Sequence, residues 1–274
     1  MAFPVELLEC PACSGRVAPV GPDEELACER CGRRSRTVSP GYLDMLREPG
    51  RPDPAPPTPA QRLMESRLFV RMYETAMRPF FARVFAGPGA HVPSPAEEFE
   101  IYRDWLGLAG STGSWLDLSC GAGYFTRLMA GTAPAATVVG LDISTAMLER
   151  AAGHGAGSPN LRWVRGDVRR LPFRDGSFDG VSNPGSLHLY ADPDAAFREV
   201  FRLLKPGGRF AASTFAESGR PLGRHAARLL GVRRTDLGAL PRALAAAGFV
   251  DYRLRRFGDA FVAGARRPEQ GRSE

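Results

Sequence analysis

The chain has 274 residues, 43% of them hydrophobic and 24% charged, with a formal net charge of +6. That length accommodates one full α/β domain and a small extra module, and no run approaches the roughly 18 uncharged apolar residues of a membrane span, so a membrane partner is not expected. The acids ahead of any apolar stretch in MAFPVELLECPAC argue against a signal peptide and for a cytoplasmic protein, and the charge permits nucleic-acid binding without requiring it.

Four of the five cysteines fall in the first 31 residues, as Cys10-Pro11-Ala12-Cys13 and Cys28-Glu29-Arg30-Cys31. Two C-x-x-C pairs at this distance match a four-thiolate zinc ribbon. A disulfide pair is the competing reading, disfavoured by a reducing compartment. Residues 1–48 are therefore predicted to form a ribbon with short strands near Leu26-Ala27 and Arg36-Thr37-Val38. Its Zn2+ is structural, because four protein thiolates leave no open coordination position. Arg30, Arg33, Arg34 and Arg36 are either a solvated basic face or phosphate contacts.

Six prolines in residues 49–59 predict an extended linker and a domain boundary. Residues 60–94 form a helical lid or substrate segment. Leu63, Leu68, Phe69, Met72 and Ala76, then Phe80, Phe81, Val84 and Phe85, recur at helical spacing, with Pro79 ending or kinking the helix. A further helix is predicted over 96–108, carrying Phe99, Tyr102, Trp105 and Leu106 on one side.

From residue 95 to 264 the pattern alternates. Strands are predicted near 114–118, 137–141, 161–165, 178–183, 208–215, 250–256 and 258–264, with helices near 123–131, 145–152, 192–204 and 236–247. This alternation implies an α/β fold with a mostly parallel sheet covered on both faces. The last two strands are joined by a short Phe257-Gly258 turn and must pair antiparallel. The first strand runs into Asp117-Leu118-Ser119-Cys120-Gly121-Ala122-Gly123, a tight strand-to-helix turn whose glycines let backbone approach a ligand. The second ends in Asp142, where nucleotide-binding domains place a carboxylate on ribose hydroxyls. The S-x-G-x-G spacing departs from G-x-G-x-x-G and argues against NAD. Cys120 reads as a buried, silent cysteine, and residues 265–274 as a frayed tail.

These motifs, followed by Gly166-Asp167-Val168 with Leu171-Pro172-Phe173, Phe178-Asp179-Gly180-Val181 and Leu204-Lys205-Pro206-Gly207-Gly208, resemble in order and spacing those of class I S-adenosylmethionine-dependent methyltransferases, with Ser119 standing where the family most often has glycine. The resemblance implies a Rossmann-like seven-stranded sheet of order 3-2-1-4-5-7-6 with the last strand antiparallel. It implies S-adenosylmethionine along Asp117, Ser119, Cys120, Gly121 and Gly123, with Asp142 on the ribose. Ile143 and Met147 would flank the adenine, Asp167 and the Val168 backbone would lie at its amino group, and Asn183 at the end of the fourth strand would complete the cofactor site.

The same resemblance directs attention to His188 as either general base or pocket wall, and to Tyr190 as a weaker candidate of the same sort. Asn183-Pro184 is similar only in part to the N-P-P-Y motif of amino-methylating enzymes. Tyr73, Met77, Phe80 and Phe81 are candidates for a substrate wall, equally readable as core packing. His225 and Arg224 lie where family members carry a substrate insertion. The acceptor favoured is a small molecule. The alternative is an RNA base: a zinc ribbon ahead of this fold resembles bacterial large-subunit ribosomal RNA guanine methyltransferases, with Arg162, Arg165, Arg169, Arg170, Arg174, Arg253, Arg255 and Arg256 as phosphate contacts. The layout is also similar to zinc-ribbon plastid and bacterial methyltransferase-like proteins. A protein that binds the cofactor without methylating is the remaining alternative. The residues fix no oligomeric state.

Overall fold

A computed structural model describes residues 3–21, 25–39, 41–46, 59–87, 89–217 and 231–269. The strands are β1 (Val17–Val20), β2 (Glu25–Cys28), β3 (Arg34–Val38), β4 (Tyr42–Asp44), β5 (Gly113–Leu118), β6 (Ala136–Asp142), β7 (Leu161–Arg165), β8 (Phe178–Pro184), β9 (Leu204–Phe215), β10 (Val250–Phe257) and β11 (Ala260–Arg266). The helices are α1 (Pro59–Met64), α2 (Arg67–Met72), α3 (Arg78–Ala86), α4 (Pro95–Leu106), α5 (Tyr124–Thr132), α6 (Thr145–His154), α7 (Pro193–Leu203) and α8 (Leu240–Ala246).

The sheet has eleven strands, not the seven expected, in the order β1-β2-β3-β4-β7-β6-β5-β8-β9-β11-β10. Its last seven members stand in the expected order, and β11 runs antiparallel to both β9 and β10. The extra strands belong to the cysteine-bearing module, which is not set apart from the core. β4 pairs in parallel with β7, Leu43 opposite Val164 and Asp44 opposite Arg165. The Glu9 N–H donates to Pro172 O at 3.1 Å, and Leu7, Leu8, Leu26 and Met45 pack in one apolar cluster with Leu171 and Phe173. A module too small to bury a core of its own gains one by completing the edge of a larger sheet.

One face of the sheet is covered by α7, α8 and this module, the other by α4, α5 and α6. α4 is well specified locally: Ser94 and Glu97 form a reciprocal capping box, Pro95 opens the first turn, and Gly107 ends the helix in the left-handed region at φ 72°. Pro79, expected to end or kink a helix, sits in the first turn of α3. Its missing N–H is accommodated by a π-helical turn at Tyr73–Met77, where Arg78 N–H reaches back to Tyr73 O. The break in the segment comes earlier, at Ser66, which caps α2. No helix among the described residues is long and apolar enough to cross a membrane. Most of the proline-rich stretch 49–59 lies outside the described residues, as do residues 270–274 of the expected tail.

Candidate active site

β5 delivers the chain into a turn where Ser119, Gly121 and Gly123 all take positive φ, at 57°, 55° and 84°. The two glycines serve different ends. A Cβ on Gly123 would stand 2.5 Å from the Trp163 ring, so this glycine lets helix and strand pack. A Cβ on Gly121 would meet only Tyr73 Cε1 at 3.6 Å and Met147 Sδ at 3.9 Å, so this stretch of backbone is open to a ligand. Ser119 bears the strain of a left-handed non-glycine residue and gains a 2.7 Å hydrogen bond between its hydroxyl and that of Tyr190.

Asp142 lies at the end of β6, beside the turn. Its Oδ2 accepts from Gly121 N–H at 2.8 Å and its Oδ1 from Ser144 N–H at 2.9 Å, so it braces the turn as well as facing it. The cap of α6 is Ser144, whose hydroxyl accepts from Met147 N–H. Asp117 lies beneath the turn with no exposed surface, accepting from Thr126 Oγ1 at 2.6 Å and from Ser182 Oγ at 2.9 Å. Burial pushes its carboxyl up to about 6. Cys120 packs among buried apolar groups, its thiol raised well above the usual range by burial.

Tyr190 is committed to structure. Its oxygen meets Ser119 Oγ and accepts from Asn183 Nδ2 at 2.6 Å, while the same Asn183 amide donates to Leu118 O at 2.9 Å. Asn183 thus ties β8 to the glycine turn through a buried polar network that Ser186 completes. Asp167 is held by its own loop: Arg169 N–H and Nε both donate to it, each at 2.9 Å, which is the turn-forming arrangement. The Val168 side chain packs on the core, Ile143 is half-buried beside Asp142, and Met147 is buried against Val70 and Ala122.

The segment 59–77 roofs the turn. Ser144 Oγ donates to Met64 O at 3.0 Å, and Arg127 pairs with Glu74 at 3.3 Å. The recess left over Ser119 to Ala122, bordered by Tyr73, Arg78 and Pro184, has a volume of about 30 Å³. Beside it lies a cavity of about 420 Å³, walled by Phe81, Phe85, Phe215 and Phe261 and also bordered by Tyr73, Arg78 and His188. Of the four candidate wall residues, Tyr73 and Phe81 face this cavity. Phe80 does not, being 57% exposed, and Met77 does not line it. His225 and Arg224 lie outside the described residues.

His188 borders the cavity with its ring 5.3 Å from that of Phe215 and its Nδ1 3.4 Å from Thr214 Oγ1. Burial, aided by the positive charge of Arg234, pushes the imidazole down to about 4, so it is neutral near pH 7 and a weak base. The polar end of the cavity is not marked by any motif in the sequence: Arg78 Nη2 donates to Glu98 Oε2 at 2.8 Å, and Ser213 Oγ donates to Glu98 Oε1 at 2.6 Å. One signal for it lay in α4, where Glu98 precedes Tyr102 by four residues and so shares the apolar face.

In the N-terminal module the sulfurs of Cys10, Cys13, Cys28 and Cys31 all lie within 4.8 Å of one another. The separations of 3.6 Å (Cys10 to Cys31) and 3.5 Å (Cys13 to Cys28) are far beyond a disulfide and close to the about 3.8 Å edge that four thiolates at zinc distance would make. A Cβ on Gly15 would stand 2.9 Å from Cys28 Sγ, so the knuckle requires a glycine.

The arginines proposed to follow a phosphate backbone are mostly engaged. Arg33 donates to Leu46 O at 2.9 Å, Arg34 pairs with Glu25, Arg162 donates to Pro159 O, Arg169 pairs with Asp167, and Arg174 donates to Leu8 O. Arg165 is buried against Asp44. The exposed Arg253, Arg255 and Arg256 stand on β10, at the opposite edge of the sheet from the module.

Residues 116–212 match the family described as Methyltransferase domain. An uncharacterised chloroplastic methyltransferase of Arabidopsis thaliana is 32% identical over 231 residues, 78% of this chain and 63% of that protein. The 2-phytyl-1,4-naphtoquinone methyltransferase of Thermosynechococcus vestitus is 41% identical over 115 residues, 41% of this chain and 50% of that protein. The chain thus spans between half and two thirds of the length of these relatives. Among solved structures, the geranyl diphosphate C-methyltransferase of Streptomyces coelicolor A3(2), in complex with Mg2+, geranyl-S-thiolodiphosphate and S-adenosyl-L-homocysteine, is 19% identical. It covers 78% of this chain and 100% of its own, with a TM-score of 0.61, a likeness of fold.

Proposed function

We propose that this methyltransferase domain transfers a methyl group from S-adenosylmethionine to a small, largely apolar acceptor held in the 420 Å³ cavity. The observation that carries the reading is the adjacency of the two sites: Tyr73 and Arg78 border both the glycine-turn recess and the cavity. The relative named for 2-phytyl-1,4-naphtoquinone and the structure holding a geranyl compound support an apolar acceptor. Engagement of the arginines within the protein, and their separation across the sheet, favour a small molecule over RNA.

In this reading the cofactor supplies a methyl group already activated by a sulfonium, and the chain's task is placement. Gly121 offers the open backbone, Asp142 the ribose acceptor, and Met147 with Ile143 the walls of the adenine site. Asn183 and Tyr190 hold the turn from below. The apolar wall excludes water, while neutral His188 shapes the cavity and offers a hydrogen-bond acceptor rather than a strong base. Sites for ligands of nucleoside size occupy about 300 Å³ or more, so this reading requires the roof formed by residues 59–77 to give way when the cofactor binds.

Calorimetric titration with S-adenosylhomocysteine tests the reading. Saturable binding is expected, together with altered amide exchange over 62–77, and Asp142→Ala should weaken binding at least about tenfold. Absence of binding to the folded protein refutes the reading, and unchanged affinity in the variant refutes the role of Asp142. The four thiolates are proposed to hold one structural Zn2+, clamping Leu7, Leu8 and Leu26 onto the core. Elemental analysis should return one zinc per chain, and chelation should lower the unfolding midpoint; a metal-free protein of full stability would exclude this.

A further inference from the structure

The cavity is apolar along its walls and charged at one end. There α3 and α4 bring Arg78 and Glu98 together, with side-chain exposures of only 18% and 12%. An ion pair this deeply buried recovers little more than its desolvation cost, so stability alone is a poor reason for one beside an apolar cavity. The two members are satisfied unequally. Glu98 has a donor on each oxygen, Arg78 on Oε2 and Ser213 on Oε1. Arg78, among the described residues, has one hydrogen-bond acceptor, Glu98 through Nη2, and the Phe125 ring 4.8 Å from its central carbon. A guanidinium carries five N–H donors in a rigid fork matched to carboxylates. The fork borders the junction of recess and cavity, and Gly185, whose Cβ would stand 3.8 Å from Nη2, leaves room beside it.

We infer that Arg78 is the anchor for the acceptor's head group: the acceptor is an amphiphile whose apolar body lies along Phe81, Phe85, Phe215 and Phe261 and whose acidic oxygen, a carboxylate or phenolate, takes the spare donors of Arg78. The inference rests on the cavity being the acceptor site. Glu98 holds the fork in place and neutralises it while the cavity is empty, and Ser213 fixes Glu98. An acceptor oxygen at Arg78 therefore competes with Glu98 for positive charge, which fixes the sign of the test.

Binding of 2-naphthoate and its uncharged analogue 2-naphthamide to the full chain, by calorimetry with and without S-adenosylhomocysteine, decides it. Naphthoate is expected to bind at least about tenfold more tightly than the amide. Arg78→Met should abolish that preference, Arg78→Lys should keep part of it, and Glu98→Gln should strengthen naphthoate binding by removing the competing carboxylate. A merely structural pair behaves otherwise, since breaking it from either side weakens both ligands alike. Equal affinity for the two ligands, no binding of either, or weakened naphthoate binding in Glu98→Gln overturns the inference. The wild-type comparison and Glu98→Gln suffice if Arg78→Met does not fold. Binding of S-adenosylhomocysteine without naphthoate selectivity sinks the anchor alone, whereas selectivity without S-adenosylhomocysteine binding sinks the methyltransferase reading and leaves the anchor.

Discussion

Asp44→Ala is expected to destabilise the protein by about 3–5 kcal/mol, read as a fall in the urea midpoint at unchanged slope. Asp44 sits on β4, the strand by which the cysteine module joins the core, and its Oδ2 accepts from Arg165 Nη1 at 3.2 Å with 7% and 6% of the two side chains exposed. Alanine takes from the buried Arg165 cation the carboxylate that it bonds, though its field also reaches Glu65 and Asp142, and breaking a buried pair from one side costs more than the pair contributes. The same guanidinium donates through Nε to Ile143 O at 3.1 Å, one residue beyond Asp142. Loss of Asp44 should therefore also loosen the glycine-turn side of the sheet and weaken S-adenosylhomocysteine binding. Replacing both partners, Asp44→Leu with Arg165→Met, should recover part of the lost stability, since the bond to Ile143 O goes with the guanidinium. If Asp44→Ala alone lowers stability by under about 1 kcal/mol, the module is docked by its apolar contacts and not by this pair.

Why the module's docking was not legible in the sequence follows from how local each signal is. The core strands announce themselves as apolar runs of five to seven residues, and β5, β6 and β7 fall within a residue or so of where those runs place them. β4 has three residues, Tyr42–Asp44, and its partner Arg165 lies 121 residues further on, so nothing near it specifies the pairing. The cysteine spacing, which is local, was readable; the edge of the sheet it would meet was not. The site divides the same way. Gly121 and Asp142 stand out because a strand end and a small-residue turn mark them. Tyr190 and Asp167 have the right chemistry but are held by hydrogen bonds to Asn183 and Arg169 that a residue list does not foretell. Arg78 and Glu98 are twenty residues apart on separate helices and read in sequence as surface charge.

Half-buried His188 and buried Asp117 should give the protein opposing pH dependences that single substitutions separate. The imidazole of His188 lies near 4 in the folded protein against 6.5 in the unfolded chain, because burial and Arg234 disfavour its charge. Between those values the unfolded chain binds the extra proton, so this group's share of stability is whole above about 6.5 and is lost as pH falls to about 4, some 3 kcal/mol in all. Asp117 is raised to about 6 from 3.8 by burial, with Thr126 and Ser182 offsetting part of the shift. Here the folded protein holds the extra proton, so the contribution is present below about 3.8 and is lost as pH rises through 6, again about 3 kcal/mol. In the wild type the two slopes cancel over much of pH 4–6. His188→Asn should leave the Asp117 slope exposed, so that the variant gains stability relative to the wild type on acidification from pH 7 to 4.5. Asp117→Asn should lose stability relative to the wild type over the same interval. Parallel curves for wild type and His188→Asn would mean that the ring is solvated through the cavity. Its pKa would then be near the ordinary value, and the case for a general base at that position would reopen, because an imidazole near 6.5 suits that task and one near 4 does not.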